Sequence, residues 1–362
     1  MVDAGADAAT DAATAPDCPA GMTLVRKVSC DGTTTAAPAS VSLEGAPGAL
    51  VSIKDFAEPN APCLPANVCS PDDAPTLFFS DSPEMPATDG VLYADTLPAG
   101  RHRIYDYHAN GDAEGARKFP VVVLNQNGAD ATITITRRGL IAPGTDYLAV
   151  GKQVATLWLN PRTPTTVTVP AGKRVLLDPG LDALHAPTNA LVNAIYDVTT
   201  DAPLKFSVVS VRASVDAVAA TAGLSLLPRD RAHQRGTFPK ADLLLRGTPP
   251  VGVSRLRLGD GSVDPILVGR DATAGDEQQL KGNYGLLYRI ALDGGRAGIT
   301  ARGGAWEGAA TFGAGNAVSL PADGVVRGTD AVVLGSALDD ARLFTGGSAS
   351  LPVDLFVIRT SP

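Results

Sequence analysis

The densest run of side chains able to do chemistry is RHRIYDYHANGD, residues 101–112. Read as a strand, it puts His102, Ile104, Asp106 and His108 on one face and Arg103, Tyr105 and Tyr107 on the other. Two imidazoles flanking a carboxylate form a donor set that suits zinc, copper or nickel. His102 and His108 are six residues apart, about 20 Å along an extended chain, so one ion cannot join them without a bulge. Asp106 and His108, roughly 7 Å apart along the strand, remain the metal candidates, and two ligands need help from elsewhere. The competing expectation is a strand with one solvated polar face and half-buried tyrosines. In that case Tyr105 and Tyr107 are ligand-contact candidates.

Other spots carry weaker chemistry. In GDGSVD, residues 259–264, Asp260 and Asp264 could offer oxygens to calcium. Calcium wants six to eight oxygens and the loop shows no regular acid repeat, so a hairpin turn is the favoured reading. Trp306 sits among glycines in GGAWEGAA, either as an exposed platform for a sugar ring or partner side chain, or as a plug in a core. There is no nucleophile elbow, zinc helix, phosphate loop or EF-hand loop. With only four histidines, His102, His108, His185 and His233, few triads are conceivable. Paired carboxylates suffice for a glycosidase, however, and 38 acidic residues leave that chemistry open.

The four cysteines, Cys18, Cys30, Cys63 and Cys69, crowd the first fifth of the chain. Their spacings are not those of a zinc site. Disulfides are expected, and short-loop closure favours Cys18–Cys30 and Cys63–Cys69 among the three possible pairings. Residues 1–17 are almost wholly Ala, Asp and Thr, with nothing large to bury, and are expected to be a disordered tether. Such a tether resembles the spacer behind the lipidated cysteine of a bacterial lipoprotein whose signal has been removed. Cysteines and tether together indicate an exported protein at the cell surface, in the periplasm or outside the cell.

The elements that must position these groups are strands. From residue 40 onward, alternating runs such as VSLEG, ALVSIKDF, HRIYDY, DATITITRR, TVTVPAGKRVLLD and LKFSVVSV are punctuated by turn residues. Two segments have helical spacing: 146–157, with Thr145 as N-cap and Trp158 as a core plug, and 215–224. The first is expected to cross one end of a sandwich. The fold class is therefore all-β, two tandem antiparallel β-sandwiches with one or two short helices. The expected divisions are a tether at 1–17, a Cys/Pro-rich lead-in at 18–88, a first sandwich at 89–214 and a second, related one at 215–362. The relation rests on three ordered matches: 119–139 with 284–304, 166–177 with 317–328, and 89–97 with 235–243.

The stretches DYLAVGKQ, RGTFPKADL and KGNYGLLYRI resemble segments of uncharacterised secreted bacterial surface proteins. Some of these are fused to stalk domains similar to a copper amine oxidase N-terminal region. The resemblance spans about residues 85–360 and implies a surface role without implying any catalytic residue or cofactor. A net charge of −8 with no Lys/Arg cluster argues against nucleic acid. No apolar run approaches the ~18 residues of a membrane-spanning helix. The resulting expectation is a non-catalytic exported binding or structural protein that contacts a protein or cell-envelope component. The alternatives are a secreted glycoside hydrolase or carbohydrate-binding module, and a calcium- or copper-dependent module.

Overall fold

Alternation becomes burial directly in Ala131–Leu140, where Ala131, Ile133 and Ile135 enter a core and Thr132, Thr134 and Thr136 turn away from it. The computed structural model describes residues 17–29, 43–53, 63–261, 263–336 and 338–360, and across them strands of this kind assemble into four sheets. An eight-stranded sheet runs in the order Thr165–Val169, Ala131–Leu140, Leu191–Thr200, Gly100–Ala109, Thr76–Ser80, Arg235–Phe238, Val268–Asp271, Asp276–Gln279. It packs on a small sheet of Arg174–Leu176, Val121–Leu124, Leu204–Arg212 and Gly90–Leu97.

The second sandwich has a seven-stranded sheet, ordered Met22–Val28, Ala66–Pro71, Asp242–Gly247, Leu287–Leu292, Ala341–Thr345, Gly308–Phe312, Val318–Leu320. Its small sheet is Gly252–Leu258, Val353–Arg359, Arg296–Ala301, Asp330–Gly335 and Leu50–Ser52. The all-β sandwich architecture is thus as expected. It is not purely antiparallel, because Thr76–Ser80 lies parallel to Gly100–Ala109, and Asp242–Gly247 parallel to Leu287–Leu292.

Those two parallel pairs occupy corresponding places, for the two sandwiches follow one path. Leu191–Thr200 bridges Gly100–Ala109 and Ala131–Leu140 just as Ala341–Thr345 bridges Leu287–Leu292 and Gly308–Phe312. Thr165–Val169 and Val318–Leu320 close the same edge. Leu204–Arg212 and Val353–Arg359 take the same central position in the small sheets. Of the three sequence matches, only 166–177 with 317–328 falls on corresponding strands. The counterpart of Val121–Leu124 is Arg296–Ala301, and that of Gly90–Leu97 is Gly252–Leu258. Every strand carries the same short alternating pattern, so a match by pattern slides by one strand without penalty.

The segment expected to lead into the first sandwich instead completes the second, through Met22–Val28, Leu50–Ser52 and Ala66–Pro71. Nor do the sheets divide at residue 215, since Arg235–Phe238 and the 268–279 hairpin extend the eight-stranded sheet. The strand expected in VSLEG is not formed at Leu43–Gly45, and residues 41 and 42 lie outside the described residues, as do residues 1–16. The disulfide is Cys18–Cys69, with Cα atoms 5.9 Å apart, which overturns both expected short-loop pairs. Cys63 is also disulfide-bonded, and Cys30 lies outside the described residues. Antiparallel pairing of Met22–Val28 with Ala66–Pro71 folds the chain back so that Cys18 meets Cys69, and this outweighs sequence proximity.

The principal helix is Tyr147–Leu159, capped by Asp146 rather than Thr145: the Asp146 carboxylate accepts from the Ala149 amide. It does not cross the end of a sandwich. It is wedged between the two large sheets, touching Ala131–Leu140 and Leu191–Thr200 on one side and Gly308–Phe312, Val318–Leu320 and Ala341–Thr345 on the other. Val150, Val154, Ala155 and Trp158 are buried there, and the Trp158 ring lies 4.6 Å from that of Phe344. In the 215–224 segment the helix is only Ala217–Ala220, followed by a 3-10 turn at Thr221–Gly223.

Candidate functional site

Gly100–Ala109 lies deep within the eight-stranded sheet, so both of its faces are covered. The expectation of one solvated face is therefore wrong: the His102, Asp106 and His108 face is closed by the first sandwich's own small sheet, and the second sandwich covers the face of Arg103, Tyr105 and Tyr107. Arg103 is fully buried and reaches across the junction. It pairs with Asp197 of its own sheet and Asp242 of the other sandwich, each at 2.8 Å, and donates to the carbonyls of Ala241 and Gly285. Its guanidinium also stacks 4.4 Å over Trp158. Burial opposes its charge, but the two carboxylates outweigh this and hold the proton more firmly than usual. Arg103 thereby clamps the two halves in register.

Two residues further along the same face, Tyr105 and Tyr107 open onto a cavity of about 200 Å³. One wall is Phe79, Asp81, Glu84 and the two tyrosines, with His233; the facing wall is Tyr284, Gly347 and Ser348 from the second sandwich. The Phe79 and Tyr105 rings are 5.1 Å apart, and those of Tyr105 and Tyr107 are stacked at 6.5 Å. Tyr107 donates to Ser348 Oγ at 2.9 Å, which pins the two walls together, and Tyr284 donates to the Ala349 carbonyl at 2.7 Å within the second wall. Gly347 lies so close to the Tyr107 ring that a Cβ would stand 2.6 Å from it. The Tyr105 hydroxyl and Asp81 Oδ1, both shielded from solvent, have no hydrogen-bond partner of normal geometry.

The acids beside this cavity form an ordered group. Asp230 accepts from the amides of Glu84, Ala232 and His233 and from His233 Nδ1 at 3.0 Å, while His233 Nε2 contacts Glu84. Burial pushes against ionisation of Asp230, but those hydrogen bonds hold its pKa below the ordinary value. Asp81 is the opposite case. Burial, then the charges of Glu84, Asp230 and Asp106, push its carboxyl well above the usual carboxylate range. Burial also raises Glu84, against the opposing effect of His233. Tyr284 is pushed up to about 12, mainly by burial. Asp81 therefore keeps its proton to higher pH than an ordinary carboxyl.

The remaining candidates are spread apart. Asp106 and His108 face the interior of the first sandwich, 3.5 Å from one another. Both His108 nitrogens are engaged, by Ser80 Oγ at 2.8 Å and the Pro83 carbonyl at 2.9 Å, and burial lowers its pKa to about 3. That is a neutral core histidine with no nitrogen left for a metal. Asp264 is buried and accepts from the Gly259 amide, Asn283 and Tyr288, so it organises the loop in which Asp260 is exposed. Among the described residues no three His, Cys, Asp or Glu side chains are placed to hold a metal ion. Trp306 is fully buried, a plug in the second sandwich rather than a platform.

Asp81, Glu84, Asp230, His233, Tyr284 and Ser348 were not singled out by sequence. Their loops, SDSPEMP, PRDRAHQR, GNYG and TGGS, lie as much as about 270 residues apart in the chain and meet only through the fold. The signal that was available is the Tyr105–Tyr107 pair, whose parity pointed toward this place.

No family model and no curated protein sequence matches the chain. Among solved structures it is similar to an oxalate decarboxylase described for its substrate binding mode and reaction specificity switch. That match has 11% identity, covers 80% of this chain and 78% of that one, and has a TM-score of 0.17. Bacillus subtilis oxalate decarboxylase, in a structure concerned with its Mn(II) centres, matches at 10% identity over the same shares, also with a TM-score of 0.17. Scores this low carry no argument about fold or chemistry.

Proposed function

We propose that the chain is a non-catalytic, exported binding protein whose ligand seat is the cavity between the two sandwiches. The observation that carries this reading is the buried Tyr105 hydroxyl, which has the Asn193 side chain beside it but no hydrogen bond of normal geometry, on a cavity whose walls come from both halves. An unmet buried polar group costs about 1–3 kcal/mol, which a ligand returns on binding. The disulfide supports an oxidising compartment, and no helix among the described residues is long and apolar enough to cross a membrane. A lipid-anchored native form and a cell-envelope partner belong to this proposal. So does descent of the two sandwiches from one repeated unit, supported by their common strand path.

One observation favours a second reading, a glycoside hydrolase. Two acids with raised pKa, Asp81 and Glu84, share one cavity, as a proton donor and its partner would. The cavity size weighs against it, since about 200 Å³ is too small to enclose two sugar units. The test is a small-molecule binding screen on the full chain, repeated on Ser348→Trp, which fills the cavity from an exposed position. Binding that is lost in Ser348→Trp supports the site. Turnover of aryl glycosides that disappears in Asp81→Asn would overturn the non-catalytic reading.

A further inference from the structure

Resting on that site, we propose that its ligand is a small organic cation, an amine or quaternary ammonium headgroup, held between tyrosine faces and the carboxylates of Asp81 and Glu84. Three features converge on this chemistry. Phe79, Tyr105, Tyr107 and Tyr284 supply four aromatic rings to a single small cavity in a chain that is only 5% aromatic. Aromatic faces attract cations, and most strongly where water is excluded. The ionisable side chains lining the cavity, tyrosines aside, are two acids and His233, with no Lys or Arg among them. Finally, the cavity lies below the ~300–1,000 Å³ of pockets for drug-sized ligands, so it fits a headgroup.

The unpartnered groups fit the same occupant. A cation beside Asp81 supplies the counter-charge that its buried oxygen lacks, and an N–H or a hydroxyl on the ligand satisfies Tyr105. A metal ion is disfavoured by the geometry, because no three ligating side chains among the described residues converge. Burial and the neighbouring acids raise the Asp81 carboxyl, and a cation seated beside it opposes that shift, so proton release on binding is the expected signature.

The experiment is calorimetric titration of the full chain with choline and with 3,3-dimethylbutan-1-ol, its uncharged isostere, in two buffers of different ionisation enthalpy. The expected results are binding of choline at least tenfold tighter than its isostere, with proton release. Glu84→Gln should cost choline at least tenfold in affinity, and Asp81→Asn should abolish the proton release. Both variants can be checked for folding by their thermal transitions, and either one suffices. Equal binding of the isostere, or tighter binding of a neutral monosaccharide, that is lost in Ser348→Trp overturns the cation and leaves the site standing. Failure of Ser348→Trp to weaken any ligand in the panel overturns both.

Discussion

Replacing Gly151 with alanine sets two known effects against each other at the junction. In an isolated helix the change stabilises by about 1 kcal/mol, since glycine is the poorer helix former. Here the added Cβ would stand 2.2 Å from the Gly347 carbonyl oxygen, 2.4 Å from its nitrogen and 2.8 Å from its carbonyl carbon. All three are backbone atoms of the opposite sandwich, so no side-chain rotation relieves the clash. Ordinary contact near 3.5 Å requires the helix and the 346–348 loop to part by about 1 Å. Overpacking of this kind costs about 1–3 kcal/mol, and the upper end applies when backbone must move. The net expectation is a loss of about 1–2 kcal/mol, a fall in Tm of roughly 2–8 °C by the usual scaling. The assay is thermal unfolding followed by circular dichroism, with Gly128→Ala as control, because nothing lies within 4 Å of a Cβ there. A Gly151→Ala protein as stable as wild type, or more so, would refute the close packing of helix against loop. The same substitution displaces Gly347, so weakened ligand binding should accompany the loss of stability.

Arg103→Met leaves Asp197 and Asp242 without their shared cation and two carbonyls without a donor, and should cost about 3–5 kcal/mol. Denaturant unfolding checks this, and the loss should shrink when Asp197→Asn and Asp242→Asn are present, because less charge is then stranded. Asp106 is completely buried with neither oxygen hydrogen-bonded, and burial raises its pKa well above the usual carboxylate range. The folded state thus holds the proton longer than the unfolded chain. The stability linked to that proton is full below about pH 4 and is lost as pH rises toward the folded-state pKa. Asp106→Asn should therefore gain stability over wild type progressively as pH rises above about 4, as read by urea midpoints; a gap constant with pH would contradict this.

Fold class was legible because period-two alternation needs only local sequence, and Val150, Val154 and Trp158 marked the helix for the same reason. Where the helix goes was not legible. An apolar stripe says that a surface is buried, not which sheet buries it. The Cys18–Cys69 pairing depends on the strand pair Met22–Val28 and Ala66–Pro71, and the membership of that pair in the second sandwich depends on contacts with residues 242–247, nearly half the chain away. The site shows the same division. Tyr105 and Tyr107 were found from their shared face, whereas Asp81, His233 and Ser348 come from loops with no motif and converge only in three dimensions. For Trp306 the core-plug reading held, because the flanking glycines let strands close over the ring: a Cβ at Gly308 would stand 2.8 Å from it.

Order of synthesis gives the strand Ala66–Pro71 an unusual schedule. One neighbour, Met22–Val28, precedes it, but the other, Asp242–Gly247, emerges some 170 residues later, roughly 10–35 s at ordinary rates of chain growth. Throughout that interval the N-terminal hairpin has no sandwich to join, while the intervening segment supplies most of the first one. Ala66–Pro71 is thus housed long after it is made. Until that distant partner arrives, the side chains that Ala66–Pro71 buries in the finished sheet have no second neighbouring strand to cover them.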